Sequence, residues 1–234
     1  FDQPVPAVTE AGRIRDRLGL QETEQLFVAG STHPGEEEAL VECYQALVAQ
    51  CSSAVLLLAP RHIERAESVE AMIRARGMTV QRCSAIGQAG VPRSTGPRVV
   101  LLDSRGELAA IYGEAVVAFV GGTLVPVGGH NLLEPAQWAK PVLFGPYTDH
   151  CAEVADLLIQ AGGGRQVLQT EELTQQVKIL FADDEERKRM GRSARQVVEQ
   201  NQGALQQTVE AIDKLLTAQQ GASGSSLANR PLPL

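Results

Sequence analysis

The chain has 234 residues, of which 44% are hydrophobic, enough to build the core of one large α/β domain. Its formal net charge of -7, with no block of basic residues to offset it, argues against a nucleic-acid partner. Cys43, Cys51, Cys83 and Cys151 show no CxxC spacing and read as scattered reduced thiols; no apolar run reaches the roughly 18 residues of a membrane span, and no signal peptide is visible.

In chain order, a short helix over 11–20 stops at Gly19, and 25–30 (QLFVAG) is a buried strand. A polar loop, Ser31-Thr32-His33-Pro34-Gly35, leads into a helix over 36–50 with Leu40, Cys43, Tyr44, Leu47 and Val48 on its apolar face. Glu36, Glu37 and Glu38 in its first turn suit the positive end of the helix dipole, which accounts for them without a ligand. Ser31, Thr32 and His33 differ, because they fall at the carboxyl end of a strand, where open α/β sheets bind ligands. The strand over 54–59 is wholly apolar, as in a parallel sheet covered on both faces, and runs into Pro60-Arg61-His62. Arg61 is placed there for a bidentate grip on a phosphate or carboxylate, or equally for a surface role in a helix-entry turn.

A helix over 63–76, a strand over 78–82, a Gly/Pro/Ser-rich loop over 83–98 and a strand over 98–103 follow. Next come a short helix over 106–113, which Asp103 can cap, with Ser104 and Glu107 able to do the same or to touch a ligand, and a strand over 116–120. Beyond residue 146 the pattern gives a helix over 151–160, a strand over 165–168 and a helix over 171–181. Charged, amphipathic helices over 184–191 and 192–219 carry no candidate chemistry, and the Gly/Ser/Pro-rich end over 221–234 reads as a disordered tail. Alternating strands and helices predict a Rossmann-like, doubly wound parallel α/β sheet forming one domain over 1–220.

The densest chemistry lies over 118–146: a strand ending at Gly121-Gly122, a loop closed by Gly128-Gly129-His130, a short helix opening at Asn131, and a strand over 141–145. Backbone amides and a helix N-terminus can face an anion at such a place. Paired glycines alone mark tight turns, and Asn131 with Glu134 has capping-box spacing. Glu134 together with His130 and four glycines goes beyond capping. A ligand carrying a phosphate and a vicinal diol, such as a nucleotide, would use the amides for the phosphate and the carboxylate for the ribose hydroxyls.

The segments STHPGEEE at 31–38, PRH at 60–62, Asp103 with Gly106-Glu107-Leu108, and above all FVGGTLVPVGGHNLLEP at 119–135 resemble the C-terminal half of the 3-deoxy-D-manno-octulosonic acid (Kdo) transferases of Gram-negative lipopolysaccharide assembly. The resemblance covers 1–216 and implies the C-terminal half of a GT-B glycosyltransferase, a fold of two Rossmann-like domains facing across a cleft, with this half binding the donor CMP-Kdo. By the same resemblance Gly121, Gly122, Gly128, Gly129, His130 and Asn131 approach the donor phosphate, and Glu134 holds the ribose. Arg61 pairs with the CMP phosphate, Ser31, Thr32 and His33 line the cleft floor near the Kdo unit, and segments 86–91 and 103–107 flank the cytosine.

The resemblance further implies inverting transfer to a lipid A precursor, at the cytoplasmic face of the inner membrane, with no catalytic residue in this chain. The general base, acceptor domain and membrane anchor belong to a preceding domain, and FDQPVPA, without an initiating Met, reads as the crossing from it. No metal cofactor is expected, since there is no Asp-x-Asp motif. The chain alone is thus expected to be a soluble fragment that binds CMP or CMP-Kdo weakly and transfers no sugar. Two alternatives stay open: another GT-B enzyme or an epimerase using a UDP sugar, and a non-catalytic interaction module. A dinucleotide dehydrogenase is disfavoured, because no G-x-G-x-x-G follows the first strand.

Overall fold

The computed structural model describes residues 11–88 and 96–201, with side chains from Ile14 onward. The chain falls into two compact units, Val5–Val198 and a second made of Phe1–Pro4 with Glu199–Leu234, the latter described only at 199–201. The tail expected over 221–234 and most of the helix expected over 192–219 lie outside the described residues, as does the middle of the loop expected over 83–98.

In the first unit seven strands form one parallel sheet: β1 (Gln25–Thr32), β2 (Ala54–Pro60), β3 (Val80–Arg82), β4 (Val99–Leu101), β5 (Ala115–Val120), β6 (Val142–Phe144) and β7 (Gly164–Gln166). Their spatial order is β3-β4-β2-β1-β5-β6-β7. The helices are α1 (Ala11–Arg17), α2 (Glu36–Val48), α3 (Ala66–Ala75), α4 (Leu108–Ile111), α5 (Leu133–Gln137), α6 (Ala152–Ala161), α7 (Thr170–Ala182) and α8 (Asp184–Gln200).

Every residue of β2 is buried, which is sustainable only with helices on both faces. Alternation along β1 builds the two layers. Phe27 and Ala29 pack with Leu40, Tyr44 and Leu47 of α2 and with Leu173 and Val177 of α7. Leu26 and Val28 turn the other way, toward Ile14, Leu18, Ile111 and Tyr112. The entrance to the sheet is braced by a polar cluster inside this core. The Tyr44 hydroxyl donates to the Ala54 carbonyl at 2.8 Å and accepts from the Arg98 backbone amide at 2.8 Å. The buried Arg98 guanidinium grips both carboxylate oxygens of Glu24, at 2.5 and 3.0 Å. Burial works to raise the Glu24 carboxyl, and the Arg98 hydrogen bonds and charge together with backbone hydrogen bonds at Gln21 and Gly96 more than offset it, leaving its pKa lowered.

Three local departures from the sequence reading matter for the site. β1 continues through Ser31 and Thr32, with a register shift between Gly30 and Thr32 where Ser31 adopts φ 55°. The helix expected from Asn131 begins at Leu133, because the Asn131 side-chain oxygen first accepts the Leu133 amide at 3.1 Å and closes a turn ahead of it. The helix expected over 106–113 shortens to α4 followed by a 3-10 turn, Tyr112–Glu114. β2 leaves one edge of β1 while β5 pairs with the other, so the direction of winding reverses between β1 and β5. Open α/β sheets form their ligand crevice at the carboxyl ends of strands flanking such a switch point. No helix among the described residues is long and apolar enough to cross a membrane.

Candidate functional site

The carboxyl ends of β1 and β5 approach so closely that only glycine fits at the contact. A Cβ on Gly121 would stand 2.5 Å from the Ser31 carbonyl oxygen and 2.7 Å from the Thr32 Cα, and the Gly121 amide donates to the Gly30 carbonyl at 2.8 Å. Ser31 at the bulge holds a left-handed conformation rare for a residue with a side chain, a strain that concentrates at functional sites. Gly122, Gly128 and Gly129 all take positive φ, and Gly129 donates to the Gly122 carbonyl at 2.8 Å, folding the loop back on itself.

The residue that joins the two strand ends is Glu36. Its fully buried carboxylate accepts the amides of His33 (2.9 Å), Gly122 (2.7 Å), Thr123 (3.0 Å) and Leu124 (2.9 Å). Burial pushes its pKa up, and the four amides pull against that. This corrects the expectation that the Gly121-Gly122 turn presents free amides to a phosphate: the protein's own carboxylate occupies that nest. The glycines there serve close approach instead. Thr32 is corrected in the same way. It is fully buried, and its hydroxyl donates to Glu37 at 3.1 Å, so it lies beneath the cleft floor rather than in it. Glu37 in turn receives both guanidinium nitrogens of Arg65, at 2.7 and 3.3 Å.

Above this floor histidine and arginine side chains gather at the cleft. All four histidines of the chain gather here. His33 and His130 bring their Nε2 atoms to 2.7 Å, with ring centroids 5.0 Å apart and planes 9° apart, so the rings lie edge to edge and nearly coplanar. His62 meets His33 edge-on at 5.9 Å and 85°. Burial, then the charges of His33, Arg61, His150 and His62, push the His130 pKa down to about 4; burial and His62 lead the lowering of His33. Arg61 and Ser31 line a cavity of about 320 Å³ with His62, Ser104, Arg105 and Gly106. Glu134 is half-buried: burial raises its pKa, while the Asn131 amide (3.5 Å) and the Arg61 charge oppose the rise.

The expected residues thus come together at one switch point, with Thr32 and Gly121 beneath it. His62, His150 and Glu36 were not anticipated as site residues, whereas Arg105 lies in the turn expected to flank the cytosine. For His62 and His150 the signal was available, since a chain with four histidines puts each beside a glycine- or proline-rich strand end. At the turn over 103–107 Asp103 accepts the Ser84 amide (3.0 Å) and hydroxyl (2.5 Å), just ahead of the segment expected over 86–91, of which 89–91 lies outside the described residues. Glu107 is engaged by Arg17 and by Ser104 (2.8 Å). Among the described residues no three His, Cys, Asp or Glu side chains are grouped to hold a metal ion.

No protein-family model matches the chain. The 3-deoxy-D-manno-octulosonic acid transferase of Haemophilus influenzae is 35% identical over 192 residues, which is 82% of this chain and 44% of that protein. The crystal structure of the C-terminal CMP-Kdo binding domain of WaaA from Acinetobacter baumannii superposes with a TM-score of 0.73 at 28% identity, covering 81% of this chain and 96% of that domain. Over most of its length the chain is similar to the 3-deoxy-D-manno-octulosonic acid transferases. It spans less than half the length of the curated Kdo transferases it matches. Its fold is the C-terminal half of the GT-B glycosyltransferase architecture, shared at 13% identity with WaaG, a glycosyltransferase involved in lipopolysaccharide biosynthesis (TM-score 0.58, covering 84% of this chain and 48% of that one).

Proposed function

We propose that this chain is the donor-binding half of an inverting glycosyltransferase that moves Kdo from CMP-Kdo to a lipid A precursor, lipid IVA, in lipopolysaccharide core assembly. The observation that carries the reading is the meeting, at the β1/β5 switch point, of an oxyanion-binding set (Arg61 and the His33–His130 pair) with a half-buried carboxylate, Glu134. Likeness to a domain described as binding CMP-Kdo supports it. The cavity beside Arg61, about 320 Å³, falls within the roughly 300–1,000 Å³ usual for small-molecule sites.

In this reading the acceptor hydroxyl attacks the anomeric carbon of Kdo, the bond to phosphate breaks, and CMP leaves with the electron pair. The chain's contribution is to hold that growing negative charge. Arg61 and the histidines do so without a metal, Gly128, Gly129 and Asn131 shape the wall beside the phosphate, and Glu134 takes the ribose hydroxyls. Ser31 and His33 face the Kdo unit, and the turn at 103–107 flanks the cytosine. The general base and the acceptor site belong to the other half of the enzyme, which works at the cytoplasmic face of the inner membrane. These 234 residues therefore bind CMP and transfer no sugar.

Arg61→Ala and Glu134→Ala test the assignment by calorimetric titration with CMP. Each removes a charge-assisted contact of about 1.5–3 kcal/mol, so each is expected to weaken binding roughly 10- to 100-fold while the melting temperature stays near that of the parent. Parental affinity in both folded variants would remove these residues from the site, and failure of the parent to bind nucleotide would favour an interaction module instead.

A further inference from the structure

We propose that His33 and His130 act as one unit that shares a single proton between its facing Nε2 atoms and takes up one further proton when an oxyanion of the donor binds. The choice of oxyanion rests on the donor reading above; the shared proton does not.

The geometry leaves little freedom. Two nitrogens of nearly coplanar rings 2.7 Å apart cannot both carry hydrogens, and two bare lone pairs would repel, so one proton lies between them. In the neutral pair the ring that donates through Nε2 has a bare Nδ1, and the ring that accepts carries its proton on Nδ1. An approaching oxyanion meets one donor and one repelling lone pair. One proton from solvent, added at the bare Nδ1, leaves the central N–H···N bond intact, turns both outer nitrogens into donors and gives the pair a charge of +1.

The surroundings decide when that happens. His33 faces His62, Arg61, Arg65 and Glu37, and Glu36 binds its backbone amide; His130 faces Arg61, His150 and His62, with Glu134 beyond Asn131. The nearest carboxylates are already engaged. Glu37 is held by Arg65 and Thr32, and Glu36 by four amides. In the free cleft the extra proton would therefore join His62, His150, Arg61 and Arg65, while the adjacent carboxylates Glu36 and Glu37 are committed to other partners. A bound oxyanion supplies a counter-charge, so anion binding and protonation favour each other.

Calorimetric titration of the 234-residue chain in buffers of different ionisation enthalpy tests the coupling, using sulfate and, separately, cytidine 5′-(methyl phosphate). Neither probe changes charge between about pH 6 and 8, where histidine titration is read. Both are expected to bind with uptake approaching one proton and to tighten up to tenfold per pH unit as the pH falls. His130→Gln is expected to fold and bind with no uptake. Nitrogen NMR of the free chain at neutral pH is expected to show one protonated and one bare facing Nε2. Sulfate binding with uptake while the cytidine ester fails to bind would sink the donor reading and leave the pair standing. Binding without uptake, no binding of either probe, unchanged uptake in His130→Gln, or two rings titrating separately near the ordinary value of about 6.5 would each overturn the proposal.

Discussion

Glu36 shows how one buried side chain can set the shape of a cleft it does not enter. Its carboxylate satisfies three consecutive amides after β5 and one after β1, so the two loops that carry His130 and His33 are fixed relative to each other. Glu36→Ala strands those four donors in a buried space. The expected cost is on the order of 3–5 kcal/mol, read as a fall of roughly 10 °C in melting temperature, and a variant melting within about 2 °C of the parent would contradict the role. Glu36→Gln keeps the volume but turns an amide nitrogen toward N–H groups, so an intermediate loss is expected. In the sequence Glu36 looked like one of three acidic residues matched to a helix dipole. Three of its four partners lie 86 to 88 positions away, and no local spacing carries that information. Glu134, by contrast, could be singled out as a candidate from the sequence, because its neighbours His130 and the glycines lie within a few residues of it.

At the level of elements, the strand–helix alternation was readable because each buried strand is a short apolar run and each long helix shows a 3.6-residue stripe. The ends were less so. β1 gains two polar residues because the bulge at Ser31 keeps Thr32 paired with Pro60, and α5 loses its first two expected residues to the Asn131 side chain. The bracing of α2, β2 and β4 by Tyr44 was also invisible, since a tyrosine on an apolar helix face reads as core. Tyr44→Phe leaves the Ala54 carbonyl and the Arg98 amide without their partner. A loss of about 1–3 kcal/mol in chemical denaturation is expected, with nucleotide affinity unchanged, because the brace sits at the opposite end of the strands from the cleft. Unchanged stability would mean that the pair contributes nothing.

For the whole molecule, the sheet order places the reversal of winding between β1 and β5, and the four histidines, Arg61 and Glu134 gather at the carboxyl ends of the strands around it. The parallel α/β class followed from the alternation of elements, whereas the strand order did not, because periodicity shows which segments are strands and not which edges pair. Motif likeness supplied the link to Kdo transferases, and the shared architecture with the CMP-Kdo binding domain of WaaA agrees with it. The central claim is that this cleft takes a cytidine monophosphate group. Titration of the chain with CMP and with UDP under identical conditions tests it most directly. Saturable binding of CMP, at least about tenfold tighter than UDP, a difference of some 1.4 kcal/mol, is the predicted result; equal binding or a preference for UDP would contradict it.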